Sequence, residues 1–179
     1  MKKYLAISTV LIFVLCIALF AVAGHDPFVV PFEKEALGHK TRMPFPASGD
    51  LRQHIIGQEP YKNWGKWPGK GELYKGTEPH GSLLTTYVND IALKSINEKK
   101  GMANNSIIVK ENYAPNKKLV ALTVMYKVKG YNPDDGDWFW AKYGPDFDII
   151  AEGKVKGCLA CHGTVKDNDF VFTGEVTGK

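Results

Sequence analysis

The alternation of apolar and polar residues predicts paired strands in the second half of the chain. Residues 106–113 (SIIVKENY) and 118–130 (KLVALTVMYKVKG) are rich in β-branched side chains. A short connection containing Pro115 separates them, which is typical of an antiparallel hairpin. The aromatic stretch 137–144 (DWFWAKYG) follows a turn and predicts a third strand. The segment 168–176 (NDFVFTGEV) predicts a last short strand.

A helical pattern precedes the hairpin, in residues 82–100 (SLLTTYVNDIALKSINEKK). Ser82 is a candidate N-cap and Gly101 a stop signal, so the segment predicts one amphipathic helix. With the strands, it predicts a small α+β fold, mainly antiparallel β, with one or two helices. The apolar residues at helical spacing are Leu84, Tyr87, Val88, Ile91 and Ala92.

The N-terminal region divides into two segments that precede this domain. Residues 1–23 contain two lysines, a long apolar run and Ala21-Val22-Ala23, which is the pattern of a cleaved signal peptide. The run is also nearly long enough to span a bilayer, so an uncleaved membrane anchor is the alternative. Residues 24–63 predict an extended segment rich in proline and aromatic residues, and 64–179 the domain itself. The pattern predicts export to the periplasm.

Net charge gives little indication of a charged partner. The chain carries +4, and removing the two lysines of the signal peptide leaves +2 (4 − 2). Such a balance offers no basic field for nucleic acid or an anionic membrane. The 156 residues that follow position 23 (179 − 23) suit one domain of ordinary size.

The strongest chemical motif is GCLACHG, residues 157–163, close to the end of the chain. C-x-x-C-H is the attachment signature of a c-type haem. The thiols of Cys158 and Cys161 would form thioethers with the two haem vinyl groups. His162 would then lie beneath the ring as the proximal iron ligand. The motif therefore predicts one covalent haem c.

Other uses of the cysteine pair are a disulfide, half of a zinc site and a redox dithiol. Zinc needs two further ligands, usually a second spaced pair, whereas the remaining histidines are scattered. A redox dithiol is expected in a βαβ unit, and none surrounds residues 158–162. Cys16 lies in the apolar run, so cleavage would leave only the motif pair. Those scattered histidines are His25, His39, His54 and His80.

Several separated blocks resemble, in order, the cytochrome P460 family, which includes the cytochromes c′-β. They are WPGKGELYKGTEPHGSLLTTYVNDIA, SIIVKENY, VMYKVKGYNPDDGDWFWAKY and the late GCLACHG followed by NDFVF. The resemblance implies a small antiparallel β domain, commonly a homodimer, with one c-type haem. Its iron has histidine on one side and an open position on the other. Proteins of this kind bind nitric oxide, and P460 members oxidise hydroxylamine.

The resemblance also implies a role for Lys110 in IIVKENY, which matches the lysine that P460 enzymes join covalently to the porphyrin. From the strand pattern alone, Lys110 is a solvent-facing lysine. Those enzymes use a distal carboxylate as proton acceptor, whereas residues 119–128 contain no Asp or Glu. Glu111 is predicted on the opposite face. His80 is the alternative base or distal contact, or else a capping or surface residue.

Three functions stay open at this stage. The first is a cytochrome that binds nitric oxide or hydroxylamine at five-coordinate iron, with or without hydroxylamine oxidation. The second is an electron carrier, with a redox partner cytochrome, whose sixth iron ligand is Met125, Met102 or a histidine. The third is a non-catalytic nitric oxide binder. Candidates for an apolar distal wall are Leu122, Val124, Met125, Phe139 and Trp140.

Overall fold

A seven-stranded antiparallel sheet organises residues 42–178, which are the residues described by this computed structural model. The predicted signal peptide and the first part of segment 24–63 lie outside them. The order along the sheet is β1-β3-β4-β5-β6-β7, and β2 also pairs with β3. The strands are β1 Gly65–Lys66, β2 Tyr74–Lys75, β3 Leu83–Val88, β4 Ile107–Tyr113, β5 Leu119–Lys127, β6 Trp138–Tyr143 and β7 Ile149–Gly153.

In the described part of the chain, three α-helices accompany the sheet: α1 Ser48–Gln53, α2 Asp90–Glu98 and α3 Lys156–His162. A π-helical turn, His54–Gln58, continues α1, and a 3-10 turn, Gly163–Asn168, continues α3. The α+β prediction is confirmed. Within residues 42–178, no helix is long and apolar enough to cross a membrane.

The predicted hairpin is confirmed, and its register determines which residues share a face. Lys110 pairs with Thr123, and Thr123 pairs with Lys142 of β6. Because side chains alternate across a strand, these positions lie on one face of the sheet with their neighbours two residues away. Val109 and Val124 lie on the other face.

Each face of the sheet carries its own apolar cluster. On one face, the sheet packs against Leu51 of α1 and Ile55 of the π-helical turn, both fully buried. On the other face, Trp140 packs with residues of α2 and of the C-terminal segment. Full burial of one such side chain contributes about 1.5–3 kcal/mol to folding, so both layers stabilise the sheet.

The prediction of one helix over residues 82–100 is wrong in its first half. Residues 83–88 form β3, and α2 begins only after Asn89, whose side chain accepts a hydrogen bond from the Ala92 backbone N–H at 3.0 Å. The segment LLTTYV is buried almost throughout, on both faces of the sheet. Such a strand has no polar alternation, and its apolar residues also match a helical period.

The predicted last strand, 168–176, is also absent from the described fold. This segment contains no strand, and Asp169 and Phe170 instead adopt left-handed backbone conformations, with φ of 52° and 64°. Strand backbone requires negative φ, so these two residues prevent pairing. The segment packs beside α3, where it contacts the cysteine motif.

Candidate functional site

The cysteine motif lies on α3, which brings its three chemical groups together. Cys158, Cys161 and His162 are spaced three and four residues apart, so a helix places them on one side. Cys158 is partly buried, Cys161 is exposed, and both thiols are free. His162 is 5% exposed. The helix therefore holds a buried imidazole next to two accessible thiols.

A cleft of about 650 Å³, which includes the space at its open mouth, has α3 on one side and strands β4–β6 on the other. Cys158, Cys161, His162, Lys110 and His80 all line it. The structure therefore brings together the five residues that the sequence singled out. The apolar part of the wall includes Ile108, Met125, Trp140, Val171 and Phe172.

The hydrogen bonding of His162 leaves one ring nitrogen available for a metal. Its Nδ1 lies 2.7 Å from the backbone carbonyl of Phe170, which can only accept, so Nδ1 carries the proton. Nε2 then has a free lone pair. Burial is the main factor that lowers the pKa of His162, so the ring is neutral near pH 7. A metal-ligating histidine typically has this arrangement.

Lys110 occupies the cleft as an amine in apolar surroundings. Burial lowers its pKa to about 8. Within residues 42–178, the cleft is lined by no carboxylate that could offset this burial. The expectation that Lys110 faces solvent is wrong, because its face of the sheet is covered by α3 and the C-terminal segment.

His80 also faces the cleft and is not a helix cap, because residues 83–88 are a strand. Its Nδ1 lies 3.3 Å from the Thr123 hydroxyl, and its ring centre is 6.0 Å from that of His162. Burial, followed by the positive charge of Lys110, lowers the pKa of His80 to about 4. The imidazole is therefore neutral at pH 7 and is a weak base.

The predicted apolar wall is correct in part. Met125 and Trp140 line the cleft, whereas Leu122 and Phe139 belong to the cluster on the other face. Val124 also borders the cleft, although it packs in that same cluster. The residue that pairs with Lys110 is Thr123, so positions 123 and 125 face the cleft and 122 does not. Met102 is buried in the second cluster and does not line the cleft.

Glu111 lies on the face opposite Lys110, as its position in the strand predicted. Its carboxylate is 1% exposed and accepts hydrogen bonds from the Tyr61 hydroxyl at 2.7 Å and the Tyr113 hydroxyl at 2.6 Å. It also pairs with Lys62. Tyr61 and Lys62 are distant in sequence, and no local pattern indicated this cluster. Its position keeps the carboxylate away from the cleft.

Two further observations fit an apolar ring system with hydrogen-bond acceptors in this cleft. Trp140 Nε1 is buried and has no hydrogen-bond partner among the described residues. Phe172 lines the same cleft, although it is 51% exposed. A group seated in the cleft would cover the phenylalanine ring and could accept a hydrogen bond from the indole. Haem, with its broad ring and acidic propionates, has both properties.

The family model for Cytochrome P460 matches residues 59–173. This range contains the sheet, Lys110, His80 and the whole cysteine motif. The chain belongs to the cytochrome P460 family. No curated protein matches the chain. Membership of the P460 family implies a haem cofactor, and the residues of the cleft fit that group.

Proposed function

We propose that this member of the cytochrome P460 family is a periplasmic c-type monohaem cytochrome. It binds a small nitrogen ligand, nitric oxide or hydroxylamine, at a five-coordinate haem iron. The observation that carries the proposal is the neutral imidazole of His162, whose Nδ1 donates to Phe170 at 2.7 Å while both thiols lie in the same cleft. Export rests on the signal-peptide pattern of residues 1–23, which lie outside the described residues.

Cys158 and Cys161 would hold the haem through thioethers, and His162 would be its proximal ligand through Nε2. The haem, when bound, supplies an iron coordination position and a one-electron redox couple. The side chains of Met125 and Trp140 keep the cleft apolar. An apolar cleft excludes water and favours small uncharged ligands over anions.

Attachment is tested by denaturing mass spectrometry of protein produced together with haem-maturation factors. We expect the mass of one haem on the intact chain, and its loss in a Cys158→Ala/Cys161→Ala variant. The N-terminus in the same spectrum should be Gly24, which would verify cleavage of the signal peptide. Haem that dissociates in acidified organic solvent would contradict covalent attachment.

Ligand binding is better supported than hydroxylamine oxidation. Oxidation needs an acceptor for the protons of the substrate. Within the described residues no carboxylate lines the cleft, and the pKa of His80 is only about 4. Spectroscopic titration with nitric oxide should therefore show binding, whereas hydroxylamine should reduce an electron acceptor slowly or not at all. Rapid reduction of the acceptor would assign the chain to the hydroxylamine-oxidising members.

We further propose that Lys110 can be joined to the porphyrin. With a pKa of about 8, about one amine in ten is neutral and nucleophilic at pH 7. A C–N bond to a porphyrin carbon replaces one N–H and one C–H bond. Two protons and two electrons are released, so the step requires a two-electron oxidant such as a peroxide.

This link is tested by the absorption spectrum of the reduced protein. A linked ring should give a red-shifted, broad spectrum, and Lys110→Ala should restore the spectrum of an ordinary c-type haem with both thioethers intact. An ordinary spectrum in the unmutated protein would remove Lys110 from the chemistry. The chain would then be better described as a gas-binding protein of the cytochrome c′-β type.

A second candidate function is electron transfer by a six-coordinate haem to a partner cytochrome, with this chain assembled as a homodimer. Two side chains that line the cleft favour this function because each offers a sixth iron ligand. They are His80, with its neutral imidazole, and Met125, with its thioether. In this case the reduced protein would not bind carbon monoxide. Replacing the sixth ligand, by His80→Ala or Met125→Ala, would then make it bind the gas.

A further inference from the structure

Two consecutive residues after α3 have backbone conformations that are uncommon for residues with side chains. Asp169 has φ of 52° and Phe170 has φ of 64°. Left-handed backbone is unfavourable for residues other than glycine, and it persists where surrounding contacts hold it in place. The contacts around Asp169 therefore indicate which part of the structure this left-handed conformation positions.

Asp169 is tied to three different parts of the fold. Its Oδ1 accepts from Lys127 Nζ at 2.5 Å, and its Oδ2 accepts from the backbone N–H of Met102 at 2.7 Å. The indole of Trp138 donates to the backbone carbonyl of Asp169 at 3.0 Å. The Lys127 and Asp169 side chains are only 15% and 14% exposed, so water weakens this pair little. Lys127 belongs to β5, Trp138 to β6, and Met102 follows α2.

These contacts determine where the next carbonyl points. Phe170 directs its C=O at His162 Nδ1, at 2.7 Å. Its ring is 7% exposed and packs in the second cluster, against Gly136, where an added Cβ would lie 2.6 Å from the ring. The carbonyl is thus held from both sides, by the Asp169 contacts before it and by the packed ring after it.

We propose that Asp169 is a positioning residue for the proximal histidine. Through the Phe170 carbonyl, it fixes the orientation of the His162 ring and the strength with which Nδ1–H donates. That hydrogen bond increases the basicity of Nε2, which strengthens the iron bond and stabilises ferric over ferrous iron. The inference rests on the proposed role of His162 as iron ligand.

Two substitutions break the same contact from opposite sides. Asp169→Asn retains a residue type that tolerates left-handed backbone, but it removes the ion pair with Lys127. Lys127→Met removes the partner and leaves Asp169 in place. If the charges of Asp169 and Lys127 acted on the iron only through their electric field, Asp169→Asn would raise the reduction potential and Lys127→Met would lower it. If the contact positions His162, both changes raise the potential, because both loosen the Phe170 carbonyl.

The two readouts are the reduction potential and the iron–histidine stretching band in the resonance Raman spectrum of the reduced haem-containing protein. We expect both variants to lower the frequency of the band and to raise the potential. Asp169→Gly should cause a larger shift, because glycine keeps the backbone conformation but loses every side-chain contact. Asp167→Asn, which removes the same charge from an exposed side chain in this segment, is the control and should leave the band unchanged.

Three outcomes are decisive. An unchanged band in both Asp169→Asn and Lys127→Met would overturn the inference, as would potentials that move in opposite directions. Should one variant fail to fold or to incorporate haem, the other still tests the contact. A sixth ligand would remove the iron–histidine band from the unmutated protein, which would contradict the five-coordinate iron of the proposed function. His162 would still bind the iron in that case, and the shared direction of the potentials would still test Asp169.

Discussion

The buried amine of Lys110 should destabilise the fold in a way that depends on pH. Burial lowers its pKa from the ordinary value of 10.5 to about 8. The difference, at about 1.4 kcal/mol per pH unit, corresponds to about 3 kcal/mol. This value is an upper bound, because water at the mouth of the cleft reduces the cost of burying the charge. Lys110→Met, which keeps a long side chain without the charge, should remove the cost.

The pKa values of Lys110 in the folded and unfolded states determine how stability changes with pH. Below about pH 8, Lys110 is protonated in both states, so the folded protein bears the full cost. Between about 8 and 10.5, the unfolded chain binds more protons than the folded protein, so stability rises with pH. Above about pH 10.5, Lys110 is neutral in both states, so burying it no longer lowers the stability. The advantage of Lys110→Met should therefore be greatest near pH 7 and should fall by up to about 3 kcal/mol by pH 10.5.

Urea denaturation at several pH values measures this advantage in a Cys158→Ala/Cys161→Ala background, where no haem can attach and the amine stays free. Lys142→Met is the matched control, because Lys142 is an exposed lysine on strand β6 of the same sheet. Because water surrounds its side chain, we expect the control to change stability little between pH 7 and 10.5. An advantage of Lys110→Met that stays constant across the window would refute the reasoning.

Two further changes test the layers that hold the cleft in place. Glu111→Leu should lower the free energy of unfolding by about 2–5 kcal/mol in urea denaturation, because two tyrosine hydroxyls and Lys62 lose their buried acceptor. A loss below about 1 kcal/mol would contradict this reading. Gly136→Ala should cost about 1–3 kcal/mol in thermal unfolding, since φ is +69° and the new Cβ would lie 2.6 Å from the Phe170 ring. Gly57→Ala, with no heavy atom within 4 Å, is its control and should be neutral or slightly stabilising.

The sequence predicted the hairpin and the chemical residues well because both depend on local patterns. Residues 107–113 and 119–127 are short runs rich in apolar and β-branched side chains, and a proline-containing turn joins them. The cysteine motif likewise needs only five consecutive residues. Family resemblance added Lys110, whose place in the cleft depends on segments that cover its face of the sheet.

The failures concern segments whose structure depends on distant partners. Residues 83–88 are buried on both faces, so their apolar pattern does not distinguish strand from helix. Strand β7 is an edge strand with Ile149 and Ile150 exposed. It has no buried face, so its sequence lacks the apolar pattern that predicts a strand. Asp169 and Phe170 look like part of a strand in sequence. Their left-handed backbone depends on Lys127 and Trp138, which are far away along the chain.

The central claim is a haem whose iron is bound by His162 on one side and open on the other. The most direct measurement is the absorption spectrum of the reduced protein, recorded with and without carbon monoxide. The account predicts a five-coordinate spectrum that changes promptly and completely when the gas is added. A six-coordinate spectrum that carbon monoxide leaves unchanged would contradict it and would establish the chain as an electron carrier.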